Sequence, residues 1–228
     1  MPTLSFVVDR YLEIKNFKPE KFWFLEAICV IDEQTGIPFT WARKNVRDEV
    51  LANQFVVKII ESYENGRVIG KVKNKKTNKK KKYRPYPLIT VSFQKLATSK
   101  LKMSSAEAME IAEKLYQKGF ISYPRTETNA FPKTMNLKNQ LEKLKGSNEV
   151  FDSYIDKLLS FGKYQPPKVG NKDDQAHSPI HPTKIARQDQ LTPAEWRVYD
   201  LISRHFFACC SQDANGEEFE VKADIGSE

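Results

Sequence analysis

The chain has 228 residues, a formal net charge of +8 and charged side chains at 29% of the total. That length can bury a core for one or two domains, and the basic excess favours a polyanionic partner, nucleic acid being the commonest, without separating DNA, RNA and a membrane surface. Cys29, Cys209 and Cys210 provide neither a disulfide framework nor a CxxC zinc pair. With no apolar run of membrane-spanning length and no leader pattern, the expectation is a soluble chain in a reducing intracellular compartment.

In chain order, Leu4, Val7, Val8, Tyr11, Leu12 and Ile14 follow the 3.6-residue period of an amphipathic helix that ends near Phe17, before Pro19. "EKFWFLEAICVID" reads as a strand and "GIPFTWAR" as a shorter one. "EVLANQFVVKIIESYENGRVIGKVKN" reads as a helix followed by a strand that turns at Asn65-Gly66. This opening part is α+β. The run "KVKNKKTNKKKK" then carries eight lysines between Lys71 and Lys82, which predicts a solvated, mobile hairpin tip or loop able to bind phosphates without sequence preference.

Beyond Leu88 the character becomes helical. Ser104 and Glu107 have capping-box spacing, and Ala108, Ile111, Ala112, Leu115 and Tyr116 mark one helix face. Lys114 and Lys118 suit the negative end of that helix, and Gly119 its stop. Phe120 to Tyr123 then leave as an extended segment, which Pro124 stiffens. Residues 136–161 are helical, marked by Leu137, Leu141, Leu144, Tyr154, Ile155, Leu158 and Leu159. "GKYQPPKVGNKDDQAHSPIHPT" is a break. "TPAEWRVYDLISRHFFACC" is another capped helix, with Thr192 as N-cap, Pro193 at N1 and Glu195 at N3. "EEFEVKADIGSE" reads as an alternating strand. Both chain ends are abrupt, as expected of a fragment.

Two loops hold the unusual polar residues. In "YPRTET" a phenol is a poor nucleophile at neutral pH unless a cation stabilises its anion. Arg125, two residues beyond Tyr123, can share a side of an extended backbone with it and hold a phosphodiester. Thr126 and Thr128 can add hydroxyl contacts, and Glu127 can orient the arginine. By spacing alone, a tyrosine packed on the core with an outward arginine is commoner. In "DDQAHSPIHPT", His177 and His181 have HxxxH spacing, but Pro179 and Pro182 exclude a zinc helix. Gln175, His177, His181, Thr183 and Lys184 can instead line a phosphate backbone. Equally, the histidines can cap neighbouring carbonyls.

"LYQKGFISYPRTETNAFP" closely resembles the active-site segment of type IA DNA topoisomerases of the eukaryotic topoisomerase III branch. "KDDQAHSPIHPTK" resembles that family's DQAHPPIHPTK loop, with Ser178 in place of a proline. "RHFFACCSQDANGEE" and "PTLSFVVDR", with Ser5 in place of a glycine, also match. The resemblance implies an α+β multidomain fold. Residues 1–87 would be part of domain II, the arch, residues 88–205 the mostly helical domain III, and residues 206–228 a return to domain II. It implies ATP-independent cleavage of single-stranded DNA in which Tyr123 is the nucleophile and Arg125 its electrostatic partner. Thr126, Gln175, His177, His181 and Lys184 would contact DNA. Mg²⁺ would be held by a TOPRIM domain that precedes these residues, and no metal by this chain. A RecQ-family helicase and an OB-fold protein are the implied partners. The implied location is nuclear, with mitochondria second, and the implied roles are in DNA recombination and repair. The competing reading is a noncatalytic DNA-binding module of the same fold. A type IB enzyme or tyrosine recombinase would need an Arg-His-Arg set that is missing.

Overall fold

The computed structural model describes residues 2–30, 32, 34–64 and 67–225, so the expected turn at Asn65-Gly66 lies outside the described residues. The chain divides into two compact units, one of residues 1–78 and 219–228, the other of residues 79–218.

In the first unit, α1 (Pro2–Asn16) forms where the apolar period predicts a helix. β1 (Glu26–Val30) pairs antiparallel with β2 (Gly36–Thr40), placing Cys29 opposite Ile37. α2 (Glu49–Glu61) starts at Asp48, whose carboxylate accepts the N–H groups of Val50 and Leu51 at 2.8 and 3.1 Å. β3 (Tyr63–Glu64) and β4 (Arg67–Val68) make a short antiparallel pair. The expected inward face of α1 is not buried. Phe6 is 71% exposed and Ile14 66%, and Ala52 is the one buried hydrophobic among the described residues of this unit.

The lysine run corrects the sequence expectation, for it is β5 (Gly70–Lys82), a strand of 13 residues paired with β6 (Ala214–Ile225). The reason is charge matching with the acidic partner segment. Lys73 meets Asp224, Lys80 meets Glu218 at 3.0 Å, and Lys81 meets Asp213 at 3.2 Å. Lys75 also lies over the Phe219 ring at 5.3 Å. Cross-strand opposite charges offset the repulsion that would otherwise leave such a run unstructured.

The second unit holds the core. α3 (Thr90–Leu96) continues through a π-helical turn at Ala97–Leu101 and reaches a left-handed Lys102. α4 (Ser105–Gln117) follows its predicted cap, with Ser104 Oγ accepting the Glu107 N–H at 3.1 Å. Ala108, Ile111, Ala112 and Leu115 are buried as expected, whereas Tyr116 at the edge of the stripe stays 44% exposed. α4 packs against α7 (Pro193–Cys209), where Val198, Tyr199, Ile202 and Phe206 are buried. α5 (Leu137–Glu142), α6 (Glu149–Leu159) and the turn between them add Leu141, Leu144, Phe151, Ile155 and Leu158 to this single cluster.

The Thr192 box closes in both directions, with its Oγ1 accepting the Glu195 N–H and its N–H donating to Glu195 Oε2. Glu195 has a second task that the capping pattern does not show. Its Oε1 accepts Lys118 Nζ at 2.6 Å, so the start of α7 is tied to the end of α4. The Lys118 hydrogen bond is the main reason its carboxyl lies below the ordinary value. Leu115→Ala, at a fully buried site on this packing face, is expected to cost about 2–5 kcal/mol in urea unfolding of the second unit. In hydrogen exchange, the amides of α1 should open well before those of α4 and α7, because little apolar burial protects them.

Candidate active site

Tyr123 leaves a rigid exit. At the end of α4, Gly119 takes φ +76°, its N–H donates to the Tyr116 carbonyl at 2.8 Å, and the Phe120 N–H reaches back to Leu115 at 2.9 Å. This double bond with a left-handed glycine is the Schellman stop, completed by burial of Phe120 and Leu115. From Pro124 to Thr128 exposure then alternates strictly, buried at 124, 126 and 128 and exposed at 125 and 127. Arg125 bonds Glu113 and the half-buried Tyr123 packs against Tyr116, three residues further along α4, so both side chains lie against the same helix.

The two unusual loops form one structure. The Ser122 N–H donates to the His181 carbonyl at 2.9 Å, and Ser122 Oγ donates to the Pro179 carbonyl at 2.9 Å while accepting the His181 N–H at 3.0 Å. Ile121 pairs antiparallel with Pro182, and Thr183 N–H donates to the Phe120 carbonyl. On the other side, Thr90 at the start of α3 accepts the Thr126 N–H at 2.8 Å and donates to the Pro124 carbonyl at 2.8 Å. Gly170 comes so close to Asn129 that a Cβ there would lie 1.9 Å from the carboxamide oxygen. That carboxamide in turn accepts the Lys172 N–H at 2.9 Å.

A relay of hydrogen bonds runs from the tyrosine segment to a histidine and back. Thr126 Oγ1 accepts the Thr128 N–H, and Thr128 Oγ1 accepts the Asp174 N–H, both at 3.0 Å. The Asp174 carboxylate caps its own turn, accepting the His177 N–H at 2.8 Å and the Ala176 N–H at 3.0 Å. Those bonds, His177 first, hold its carboxyl well below the ordinary range. Its other oxygen lies 3.1 Å from His177 Nδ1. A carboxylate only accepts, so the ring proton sits on Nδ1 and Nε2 is left for an external group. The His177 ring lies 4.8 Å from the Tyr123 ring, and Tyr116 meets the tyrosine edge-on at 5.3 Å.

Several sequence expectations change here. Thr126 and Thr128 are 3% and 1% exposed, and their hydroxyls fasten the loops rather than facing a ligand. His181 is 4% exposed and donates Nδ1–H to the Pro179 carbonyl at 2.7 Å, so it caps a carbonyl instead of lining a DNA path. Arg125 is oriented by Glu113, not Glu127. Its Nε donates to Glu113 Oε1 at 2.6 Å, while Glu127 takes Lys172 at 3.3 Å. Thr183 donates its hydroxyl to the Gly119 carbonyl. Gln175 is exposed in a left-handed turn at φ +58°. Lys184 is also exposed, with its Nζ over the Phe120 ring. Ser122, Thr90, Glu113 and Asp174 were not singled out as site residues. Only Asp174, three residues before a histidine in a Pro-rich loop, carries a local sign of its role.

These are two zippered loops that present a tyrosine, an arginine and a carboxylate-held histidine on one face. The whole chain, residues 1–228, matches the family described as DNA topoisomerase. The chain belongs to that family. It is 40% identical to DNA topoisomerase 3 of Saccharomyces cerevisiae over 98% of its own length, and 43% and 40% identical to DNA topoisomerase 3-alpha of Drosophila melanogaster and Homo sapiens over all of it. It spans 36%, 18% and 22% of the lengths of those three relatives. Full-length topoisomerase I from Thermotoga maritima shares the fold, with a TM-score of 0.59 and 22% identity over 99% of this chain and 37% of that one.

The described residues of this topoisomerase-family chain do not fit a magnesium site. Among the described residues no group of three or more His, Cys, Asp or Glu side chains could hold a metal ion. Of the adjacent pair Asp173 and Asp174, the latter has both oxygens engaged by the loop's own donors. No described helix is long and apolar enough to cross a membrane. Cys209 and Cys210 are buried free thiols, the latter pushed up to about 12 by burial, and Cys29 is an exposed one.

Burial pushes the His181 imidazole below its ordinary 6.5 and does the same to His205. Both therefore protonate more readily in the unfolded chain. The stability they permit is full above pH 6.5 and is lost as pH falls towards their folded values. Urea midpoints are expected to drop from pH 7.5 to 5.5, and less in His181→Gln than in the parent. Ser122→Ala leaves the His181 N–H without its buried partner and removes one of the two donors to the Pro179 carbonyl. It should cost about 1–3 kcal/mol in the same measurement.

Proposed function

We propose that this chain carries the nucleophilic part of a type IA topoisomerase, breaking and rejoining single-stranded DNA through Tyr123. The observation that carries the reading is the shared face of Tyr123, Arg125 and the Asp174-held His177 on two mutually fastened loops. The Tyr123 oxygen attacks a backbone phosphorus and the bond to the 3′-oxygen breaks. The phenol proton leaves to base, and the 3′-oxygen departs as a hydroxyl after taking up a proton. The reverse attack restores the strand, and because the phosphotyrosyl bond conserves the ester's energy, no ATP is consumed.

Arg125 is exposed and can exchange Glu113 for a phosphate, since exposed ion pairs contribute only about 0–1 kcal/mol. Its fork then stabilises charge on the pentacoordinate phosphate. With Nδ1–H held by Asp174, an imidazolium His177 can donate its Nε2–H to the same phosphate. Gln175 and Lys184, both exposed, supply flanking DNA contacts in this reading. Thr126 and His181 drop out as contacts and serve as supports. The assignment of residues 88–205 to domain III and the rest to domain II belongs to this proposal. So do Mg²⁺ bound by a TOPRIM domain outside these residues, a RecQ-family helicase and an OB-fold protein as partners, and a nuclear location.

The test places the chain in the matching region of the yeast relative, DNA topoisomerase 3, and incubates the chimera with 3′-labelled single-stranded DNA. Covalent adducts are expected. Tyr123→Phe should abolish them while leaving binding intact, and Arg125→Ala should lower adduct formation about 10²-fold with a much smaller effect on binding. The 228-residue chain alone should bind weakly and form few adducts. A chimera that binds DNA yet forms none would support the noncatalytic alternative, and adducts retained by Tyr123→Phe would overturn the assignment.

A further inference from the structure

A second cluster in the unit of residues 79–218 lies outside the candidate active site. The rings of Tyr83 and Tyr86 are open to solvent, the residues being 65% and 54% exposed. Lys168 Nζ lies 4.9 Å from the centre of one ring and 5.3 Å from the other, so a single cation is flanked by two aromatic faces. Lys81 Nζ stands 5.2 Å from the Tyr83 ring. Among the described residues no carboxylate pairs with Lys168, Lys79 or Lys82. Asp213 and Glu218 are taken by Lys81, Arg84 and Lys80.

The backbone beneath the rings is held firmly. The Tyr86 carbonyl accepts His205 Nε2 at 2.9 Å and Cys209 Sγ at 3.4 Å. The Arg84 N–H donates to Asp213 at 2.9 Å, and its guanidinium donates to Gln165 Oε1 at 2.5 Å and the Pro166 carbonyl at 3.2 Å. Arg84 thus fastens the segment that carries Lys168 to the one that carries the tyrosines. Exposed rings add little to a core, yet this mount removes much of the entropy a ligand would otherwise have to quench.

We propose that Tyr83 and Tyr86, with Lys168 between them, form a stacking platform for unpaired bases of a nucleic-acid strand. Aromatic faces stack on any unpaired base, neighbouring lysines meet the phosphates, and a duplex hides the base faces. The choice of DNA over RNA rests on the proposed function, whereas the stacking does not.

The test is fluorescence anisotropy of the 228-residue chain with labelled dT15, an abasic 15-mer and rU15, a measurement blind to cleavage. Its failure is therefore distinct from failure of the topoisomerase reading. Tyr83→Ala and Tyr86→Ala should each weaken dT15 binding about fivefold or more, with abasic binding changed less than about twofold. Tyr83→Phe/Tyr86→Phe keeps both rings and should bind as the parent does. Lys168→Gln should weaken dT15 and abasic strand alike and lower the salt slope by about 0.7. Parent-like dT15 binding by the double alanine variant overturns the proposal, as does equal loss on the abasic strand or equal loss by the phenylalanine pair. Binding of dT15 at least as tight as rU15 supports a DNA site, and a tenfold preference for rU15 overturns it.

Discussion

The candidate site depends on one side chain more than on any other, the Ser122 hydroxyl. Its backbone neighbours on either side of the joint are a proline-rich loop and a segment that has just left a helix. Neither has a regular sheet partner to satisfy its buried polar groups. Ser122 donates to one carbonyl and accepts one N–H of the facing loop, filling a place that a continuous ladder would fill elsewhere. Without it, the His181 N–H would be buried and unpaired, and the Pro179 carbonyl would keep only the His181 ring as donor. The backbone bonds from Ser122 to His181 and from Thr183 to Phe120 would then have to hold the joint beside Tyr123 alone. Burial of His181 follows from the same joint, which is why its imidazole is pushed towards the neutral form.

A different balance governs β5 and β6. Eight lysines in twelve residues repel one another, and strand pairing is possible because the facing segment brings Asp213, Glu218 and Asp224. Exposed pairs of this kind contribute little individually, so the gain lies in cancelled repulsion rather than in any one bridge. The first unit shows the reverse case. Its helix α1 forms on local period alone, while its apolar stripe finds no cover among the described residues.

Local chemistry was legible in the sequence wherever it acts over a few residues. Thr192 with Glu195, Gly119 as a left-handed stop and the α4 stripe except Tyr116 folded as their spacing predicts. What could not be read was long-range. Glu113 lies twelve residues from Arg125, and Ser122 lies more than fifty from the loop it holds. Both are common polar residues without a periodic signature. Thr126 and His181 looked like ligand contacts because a buried, satisfied polar side chain and an exposed, functional one are written with the same letter. Only burial separates them. The lysine strand was misread for the same reason, since its compensating acids come more than a hundred residues later.

On the proposed function, the Arg125–Glu113 pair lies at the reacting face. A guanidinium left free on an extended segment would sample many rotamers, and fixing it on a phosphate would cost that freedom at the moment of binding. Glu113 on α4 holds it beforehand, against the same helix that Tyr123 packs on. The pair is exposed, so the restraint is weak enough to yield to a bidentate phosphate. Once Arg125 has moved to that phosphate, Glu113 is left as an uncompensated carboxylate close to a second negative group. That repulsion favours return of the arginine as soon as the phosphate leaves. On the proposed function, the same carboxylate that readies the arginine for a strand also helps to let the strand go.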